Sequence, residues 1–235
     1  MRDSRHLPRA TRRALPGTVR PPAGGDGALR VPGAPRLRRL GSTEYMATWE
    51  AMRAFTAARD PATPDELWLT AHPSVYTVGI AGRAEHLPRA DNGIAVVRTD
   101  RGGQVTWHGP GQVILYTLLD LARLGLGVRP LVRLLEDSVV AVLAAHGVAA
   151  RGDRHAPGVY VDGAKVAALG LRVRQGRCYH GLALNVDPDL SAFEAIDPCG
   201  HPGLPVTSTR RLGIGAPEAE LGEALATAVI ERLRP

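Results

Sequence analysis

The chain has 235 residues, 44% hydrophobic and 22% charged, enough to bury one sizeable core and too few for several domains. No apolar run approaches the ~20 residues that cross a bilayer, and two cysteines, Cys178 and Cys199, make no disulfide framework and fit a reducing cytoplasm. The net charge of +6 is local: residues 1–39 carry ten Arg against Asp3 and Asp26, the remainder nineteen basic and twenty-one acidic groups, so it is weak support for nucleic-acid binding.

Residues 1–35 are rich in Arg, Pro, Gly and Ala and poor in large apolar groups. They predict a disordered arm ahead of a single domain over 36–235. The arm lacks the apolar core of a secretory signal. Its composition mildly resembles a transit peptide, but it has few Ser or Thr and no amphipathic pattern, which favours a solvated arm or an over-extended start.

Order is expected from about Leu37. Ser42 or Thr43 can cap a helix whose apolar face is Tyr45, Met46, Trp49, Met52 and Phe55, ending before Asp60-Pro61. Residues 66–79 read as a strand running into a loop at His72-Pro73. The runs 94–97 and 113–119 read as buried strands. Between them lies RGGQVTWHGPGQ, Arg101 to Gln112, with four glycines and a proline. That density of breakers predicts a loop whose backbone approaches a ligand. A short connection follows Asp120. Pro130 then opens a helix with Leu131, Leu134, Leu135, Val139, Val142 and Leu143 on its buried stripe, stopped by Gly147.

Three extended runs joined at Asp162-Gly163 and Gln175-Gly176 predict a β-meander. Period-two reading places Lys165, Ala167, Leu169, Leu171 and Val173 on one face. Residues 187–196 read as a short helix broken at Asp197. Ser208 or Thr209 is a possible cap. A last helix from Pro217 carries Leu221, Leu225, Val229 and Leu233. Interleaved strands and helices with antiparallel hairpins predict an α/β chain of the α+β type, a mixed sheet flanked by helices.

Of twenty-nine basic residues one alone is lysine, Lys165. Its retention is either chance or a need for an amine that can exchange a proton, which a guanidinium does not do. Cys199 lies in a loop between Pro198 and Gly200, a setting open either to a nucleophile or to a packed thiol. A thiol with a reference pKa of about 8.5 is mostly protonated at neutral pH, and a nearby ammonium favours the thiolate. A Cys/Lys pair suits covalent acyl transfer. Serine-elbow, P-loop, CxxC and dinucleotide motifs are absent, and His72, His86, His108 and His155 show no metal-ligand spacing.

RGGQVTWHGPGQVILYTLLDL, the run KVAALGLR from Lys165, HGLALNV from His180, Pro198-Cys199-Gly200 and Val206-Thr207-Ser208 together resemble the octanoyltransferase family of lipoate biosynthesis over roughly residues 37–235. The resemblance implies a biotin/lipoate protein ligase catalytic-domain fold. It implies transfer of an octanoyl group from acyl carrier protein to a lysine ε-amine on lipoyl domains of 2-oxoacid dehydrogenase complexes and of the glycine cleavage H protein. The enzyme would be a cytoplasmic monomer using no metal or cofactor, with no membrane or nucleic-acid partner.

The family's nucleophile maps onto Cys199 and its lysine onto Lys165. Its acyl-binding segments map onto Arg101, Gly102, Gly103, Gln104, Val105, Thr106, Trp107 and His108, onto Ala168, Leu169 and Gly170, and onto Gly181, Leu182 and Ala183, with His180 adjoining. Backbone N–H groups near Gly170 or Gly200 are candidates for an oxyanion hole. Trp107 stands where the family has Tyr, and His201 where an apolar residue is commoner. Arg172 or Arg174 could dock acidic partners. An ATP-dependent lipoate ligase of the same fold is disfavoured by the Cys motif, a biotin ligase by the lack of its arginine–glycine loop; a non-catalytic module of the same fold stays open.

Overall fold

The first element is one that hydrophobic periodicity does not announce. β1 (Arg36–Ser42) is an edge strand with mostly exposed residues, parallel to β2 (Glu66–Ala71). Leu37 and Leu40 alone are half-buried against the cores, three residues apart, so the strand shows no apolar alternation. The structure is a computed structural model that describes residues 33–88 and 90–234. The arm predicted over 1–35 falls almost wholly outside the described residues.

Helix α1 (Tyr45–Ala58) starts without the expected cap. Its N-cap is Glu44, with no side-chain hydrogen bond. The Thr43 hydroxyl bonds Thr70 and Thr48 instead. Tyr45 and Met52 are buried, whereas Met46, placed in the core by its spacing, is 42% exposed.

The stretch 66–79 is two strands in two sheets. β2 joins the larger sheet, and β3 (Val75–Val78) pairs with β4 (Ala95–Arg98) and β5 (Val105–His108) in a three-stranded sheet ordered β4-β3-β5. β4 is a largely exposed edge, not the buried strand expected. β5 falls inside the run read as a loop. Its four residues are all buried, and the glycines flank it at 102, 103, 109 and 111, so the breakers bound a short strand instead of excluding one.

β6 (Gln112–Asp120) is central to the larger sheet. Val113, Leu115 and Leu119 face one core, and Ile114, Tyr116 and Leu118 the other. The first core is covered by α3 (Val128–Ala145) and α5 (Glu218–Leu233). On these, Leu131, Leu135, Val139, Leu221, Leu225 and Val229 are fully buried, each contributing roughly 1.5–3 kcal/mol. The second core is covered by α1 through Met52. After β6, Asp120 caps a four-residue helix α2 (Leu121–Leu124) by accepting from the Arg123 N–H.

The meander β8 (Gly158–Val161), β9 (Ala164–Arg174) and β10 (Arg177–Asn185) forms as predicted, with β7 (Arg151–Gly152) beyond it. The sheet order is β1-β2-β6-β10-β9-β8-β7. One irregularity matters. Tyr160 pairs with Lys165 but Val159 pairs with Ala167, leaving Val166 as an extra residue on β9. Val166 and Ala167 both enter the core. This bulge breaks the alternation that had placed Lys165 and Ala167 on one face. Residues 191–194 form the single turn α4 (Ser191–Glu194), shorter than predicted. Ser208 accepts from the Arg211 N–H and closes a turn, with no helix following until Glu218. The α+β mixed-sheet expectation holds: sheets flanked by helices.

Candidate active site

Cys199 lies in a one-turn 3-10 segment, Pro198–Gly200, with φ 58° and ψ 17°, and Gly200 follows at φ 74°. A left-handed non-glycine residue costs about 1–2 kcal/mol and persists where its surroundings over-determine it. The Gly200 N–H bonds Asp197 O at 2.9 Å and His201 N–H bonds Pro198 O at 3.1 Å. The Gly200 amide, an expected oxyanion donor, is therefore committed to the turn itself. Cys178 is the contrasting thiol: fully buried on β10, its pKa is pushed up to about 12 by burial, which makes it core.

Lys165 Nζ donates to Cys199 Sγ at 2.9 Å and to Pro157 O at 3.2 Å, and sits 5.1 Å from the Tyr160 ring. The lysine is only 3% exposed. Burial pulls its pKa down, but the Cys199 sulfur and the Tyr160 hydroxyl outweigh that and hold it above its ordinary value. The backbone ties the pair together as well. Lys165 N–H bonds Pro205 O at 2.8 Å, and Thr207 N–H bonds Lys165 O at 2.9 Å, so residues 205–207 run as a short parallel partner to Lys165. A buried amide chain extends this tie: Gln112 donates to Asn185 Oδ1 at 2.8 Å, and Asn185 donates to Thr207 O at 3.0 Å.

A cavity of about 320 Å³ opens beside Cys199, between the two sheets. Residues 101–106 and His108 line one side; 168–171 and 180–183 line the other. The glycines here are contact points. A Cβ on Gly170 would come within 3.0 Å of Gly102 O, and one on Gly181 within 2.0 Å of Leu115 O. Arg101 is 7% exposed and donates to Thr77 Oγ1 at 3.0 Å, to Thr77 O and to Gly102 O at 2.9 Å. All three acceptors are neutral, so the guanidinium contributes positive potential that its acceptors leave uncompensated. Burial lowers its pKa, and Tyr45 and Cys199 oppose that.

Four polar aromatic side chains, Tyr45, His108, Tyr116 and His180, interrupt the largely apolar lining and are braced from behind by His72 and Asp100. Tyr45 stacks on His108 at 6.0 Å, and His72 bridges Thr43 O and Tyr116 Oη at 2.7 Å each. His180 takes φ 64° within β10 and pairs with Asp100 Oδ1 at 3.0 Å. Asp100 also accepts from Trp49 Nε1 at 2.8 Å and from Tyr179 Oη. Burial pushes its carboxyl up, but the hydrogen bonds from His180, Tyr179 and Trp49 outweigh that and hold it below the usual range.

For the imidazoles burial acts in the other direction: it lowers the pKa of His72 and His180, and lowers that of His108 well below its ordinary value with help from His72 and Arg101. For each imidazole the unfolded chain binds a proton near pH 6.5 that the folded protein refuses. Stability is thus fully present above about pH 6.5 and falls on acidification, by at most ~1.4 kcal/mol per pH unit per group. Thermal unfolding should show a lower midpoint at pH 5.5 than at pH 7.5; equal midpoints would mean these rings take up protons in the folded state.

The predicted site residues thus converge, with one exception. Trp107 faces away from the cavity, packs edge-on against Phe193 at 5.5 Å and crowds Gly109. Its strand alternation opposes it to Thr106 and His108, which line the cavity. Arg172 and Arg174 follow the cavity-lining Leu171 on β9, and Arg174 is exposed. Sequence reasoning missed Asp100, Tyr116 and the contact of His86 with Asp197. Tyr45 was assigned to the core alone. Asp100 carried a faint signal, a carboxylate beside the glycine run; Tyr116 carried none within an apolar strand. Among the described residues no three His, Cys, Asp or Glu side chains converge as a metal site, and no helix is long and apolar enough to cross a membrane.

Comparison with known proteins agrees with this geometry. The model of the lipoyl protein ligase A/B catalytic domain matches residues 44–229. The octanoyltransferase of Aromatoleum aromaticum is 55% identical over 221 residues, 91% of this chain and 95% of that protein. The octanoyltransferase of Nitrosomonas europaea is 54% identical over 197 residues, 84% and 96% of the respective chains. A lipoate-protein ligase A solved with ATP shares the fold, with a TM-score of 0.72 at 19% identity over 86% of each chain. The chain belongs to the lipoyl protein ligase A/B catalytic-domain family and, within it, to the octanoyltransferases, which are acyltransferases.

Proposed function

We propose that the protein carries an octanoyl group from octanoyl-acyl carrier protein, through a thioester on Cys199, to the lysine ε-amine of lipoyl domains in 2-oxoacid dehydrogenase complexes and in the glycine cleavage H protein. The observation that carries this reading is the 2.9 Å contact between Lys165 Nζ and Cys199 Sγ beside a cavity with apolar walls. Lys165 Nζ, hydrogen-bonded to the sulfur, and the buried Arg101 guanidinium place positive charge around the nucleophile. The thiolate adds to the carbonyl of the donor thioester. Collapse expels the phosphopantetheine sulfur, which takes a proton from Lys165. The acceptor amine, having lost one proton to solvent, then attacks the Cys199 thioester, and neutral Lys165 takes its second proton as the C–S bond breaks.

Thioester exchange is nearly isoenergetic and thioester aminolysis is downhill, so this sequence needs no ATP, metal or organic cofactor. The enzyme would act as a monomer in the cytoplasm, where its carrier-protein donor is made. Incubation with octanoyl-acyl carrier protein, without ATP, should add one octanoyl group to the intact protein. The added mass should map to the peptide containing Cys199 and disappear when a lipoyl domain is supplied. An absolute requirement for ATP and free octanoate would replace this reading with a ligase.

A further inference from the structure

The turn that holds Cys199 is gripped from outside by a histidine that the chemistry above does not use. His86 closes a short 3-10 turn, Ala84–His86, more than a hundred residues earlier in the chain. Its Nδ1 lies 3.1 Å from Asp197 Oδ2, and its backbone O accepts the Asp197 N–H at 3.2 Å. Asp197 O in turn accepts the Gly200 N–H at 2.9 Å. The imidazole and the carboxyl are largely buried, 11% and 9% exposed. A carboxylate accepts only, so it places the imidazole proton on Nδ1. His86 Nε2 lies 3.5 Å from Glu85 Oε1 and reaches within 3.4 Å of a Cβ built on Gly200. Gln104 packs on the same spot, 3.0 Å from that Cβ, and accepts the Arg83 N–H at 3.0 Å.

Cys199 and Gly200 are consecutive left-handed residues. A cysteine holds that conformation only where the structure around it leaves no alternative. The segment 83–86 meets the turn at both ends: the backbone and Nδ1 of His86 fix Asp197, where the turn begins, and the ring lies against Gly200, where it ends.

We propose that His86 and Asp197 are positioning residues for the nucleophile. Their Nδ1–carboxylate clasp fixes the left-handed turn and so aims Cys199 Sγ at Lys165 Nζ. The inference rests on Cys199 being the reactive thiol, and it assigns no proton transfer to His86.

The test is the rate of Cys199 alkylation by iodoacetamide, measured per folded molecule well below the thermal midpoint. Octanoyl loading, read as separate kcat and KM, is measured alongside. Alkylation reports the thiol whatever the acyl donor, so failure of the clasp is distinguishable from failure of the octanoyl reading. In His86→Ala, alkylation should slow at least tenfold, with a matching loss in kcat and little change in KM. His86→Asn places an amide N–H where Nδ1–H was and should restore the rate to within about threefold. His86→Gln places its amide at the Nε2 position and should not. Asp197→Asn keeps a carbonyl acceptor and should stay near the parent rate, whereas Asp197→Ala should match His86→Ala.

Parent-like alkylation in folded His86→Ala overturns the proposal. So does equal restoration by Asn and Gln, which would make the position mere filling, or failure of both, which would point to a proton carrier. If either alanine variant does not fold, the Asn and Gln pair decides alone.

Discussion

Cys199→Ala should abolish octanoyl transfer and leave no covalent adduct after incubation with octanoyl-acyl carrier protein. Removing the nucleophile of a covalent mechanism costs roughly 10⁴–10⁶-fold in kcat. The protein should still fold. Cys199 is only partly buried and sits in a turn held by its neighbours' backbone bonds. Alanine deletes the sulfur without opening a core cavity and keeps the left-handed strain the cysteine already carries. The comparison variant is Cys178→Ala, which removes the other thiol. Cys178 points from β10 into the core beside Thr117 Oγ1 of β6 at 3.7 Å, so its loss should lower the thermal midpoint yet leave loading intact. Intact-mass spectrometry of both variants decides the matter. An octanoyl adduct on Cys199→Ala would show that another residue is the nucleophile.

Lys165→Met should reduce transfer by about 10²–10⁴-fold, the usual range for loss of a positioned proton carrier together with its charge. Lys165→Arg separates the two contributions. It keeps the cation near Cys199, so alkylation of the thiol should be largely retained. It cannot lend and retake a proton, so turnover should stay low. The decisive readout is therefore the ratio of turnover to alkylation, which packing damage alone would not split. Parent-level turnover in Lys165→Arg would remove the acid–base role and leave Lys165 as a fixed charge.

The extent to which these features were legible differs element by element, for physical reasons. The meander and the helices α3 and α5 follow from periodicity and from turn residues, which act locally. Cys199 and Lys165 stood out because each departs from its own surroundings: a thiol between proline and glycine, one lysine among arginines. Their contact joins positions thirty-four apart in the chain and rests on the β9 bulge, which no alternation pattern reveals. Edge strand β1 lacked the apolar alternation that sequence reading needs, whereas β4 was legible as a strand but its apolar residues lie on an exposed edge. β5 was hidden because glycines needed for close backbone approach surround it. Trp107 was misplaced for the same reason: without the strand, nothing indicated that it alternates away from Thr106 and His108. The cavity residues Tyr45 and Tyr116, with His72 and Asp100 behind them, come from four separate stretches of the chain, and only the folded topology collects them.

The cavity lies between the seven-stranded and three-stranded sheets, where most proteins would place aliphatic side chains. On the proposed reading the octanoyl chain is thus a missing portion of hydrophobic core, supplied from outside once per turnover. On that reading each methylene seated there would exchange water contact for wall contact, worth up to ~0.8 kcal/mol. A thioester buried in that way is shielded from hydrolysis by the packing that stabilises it. Under the proposed mechanism such an intermediate would wait for its acceptor, and the two protein substrates would never need to occupy the enzyme together.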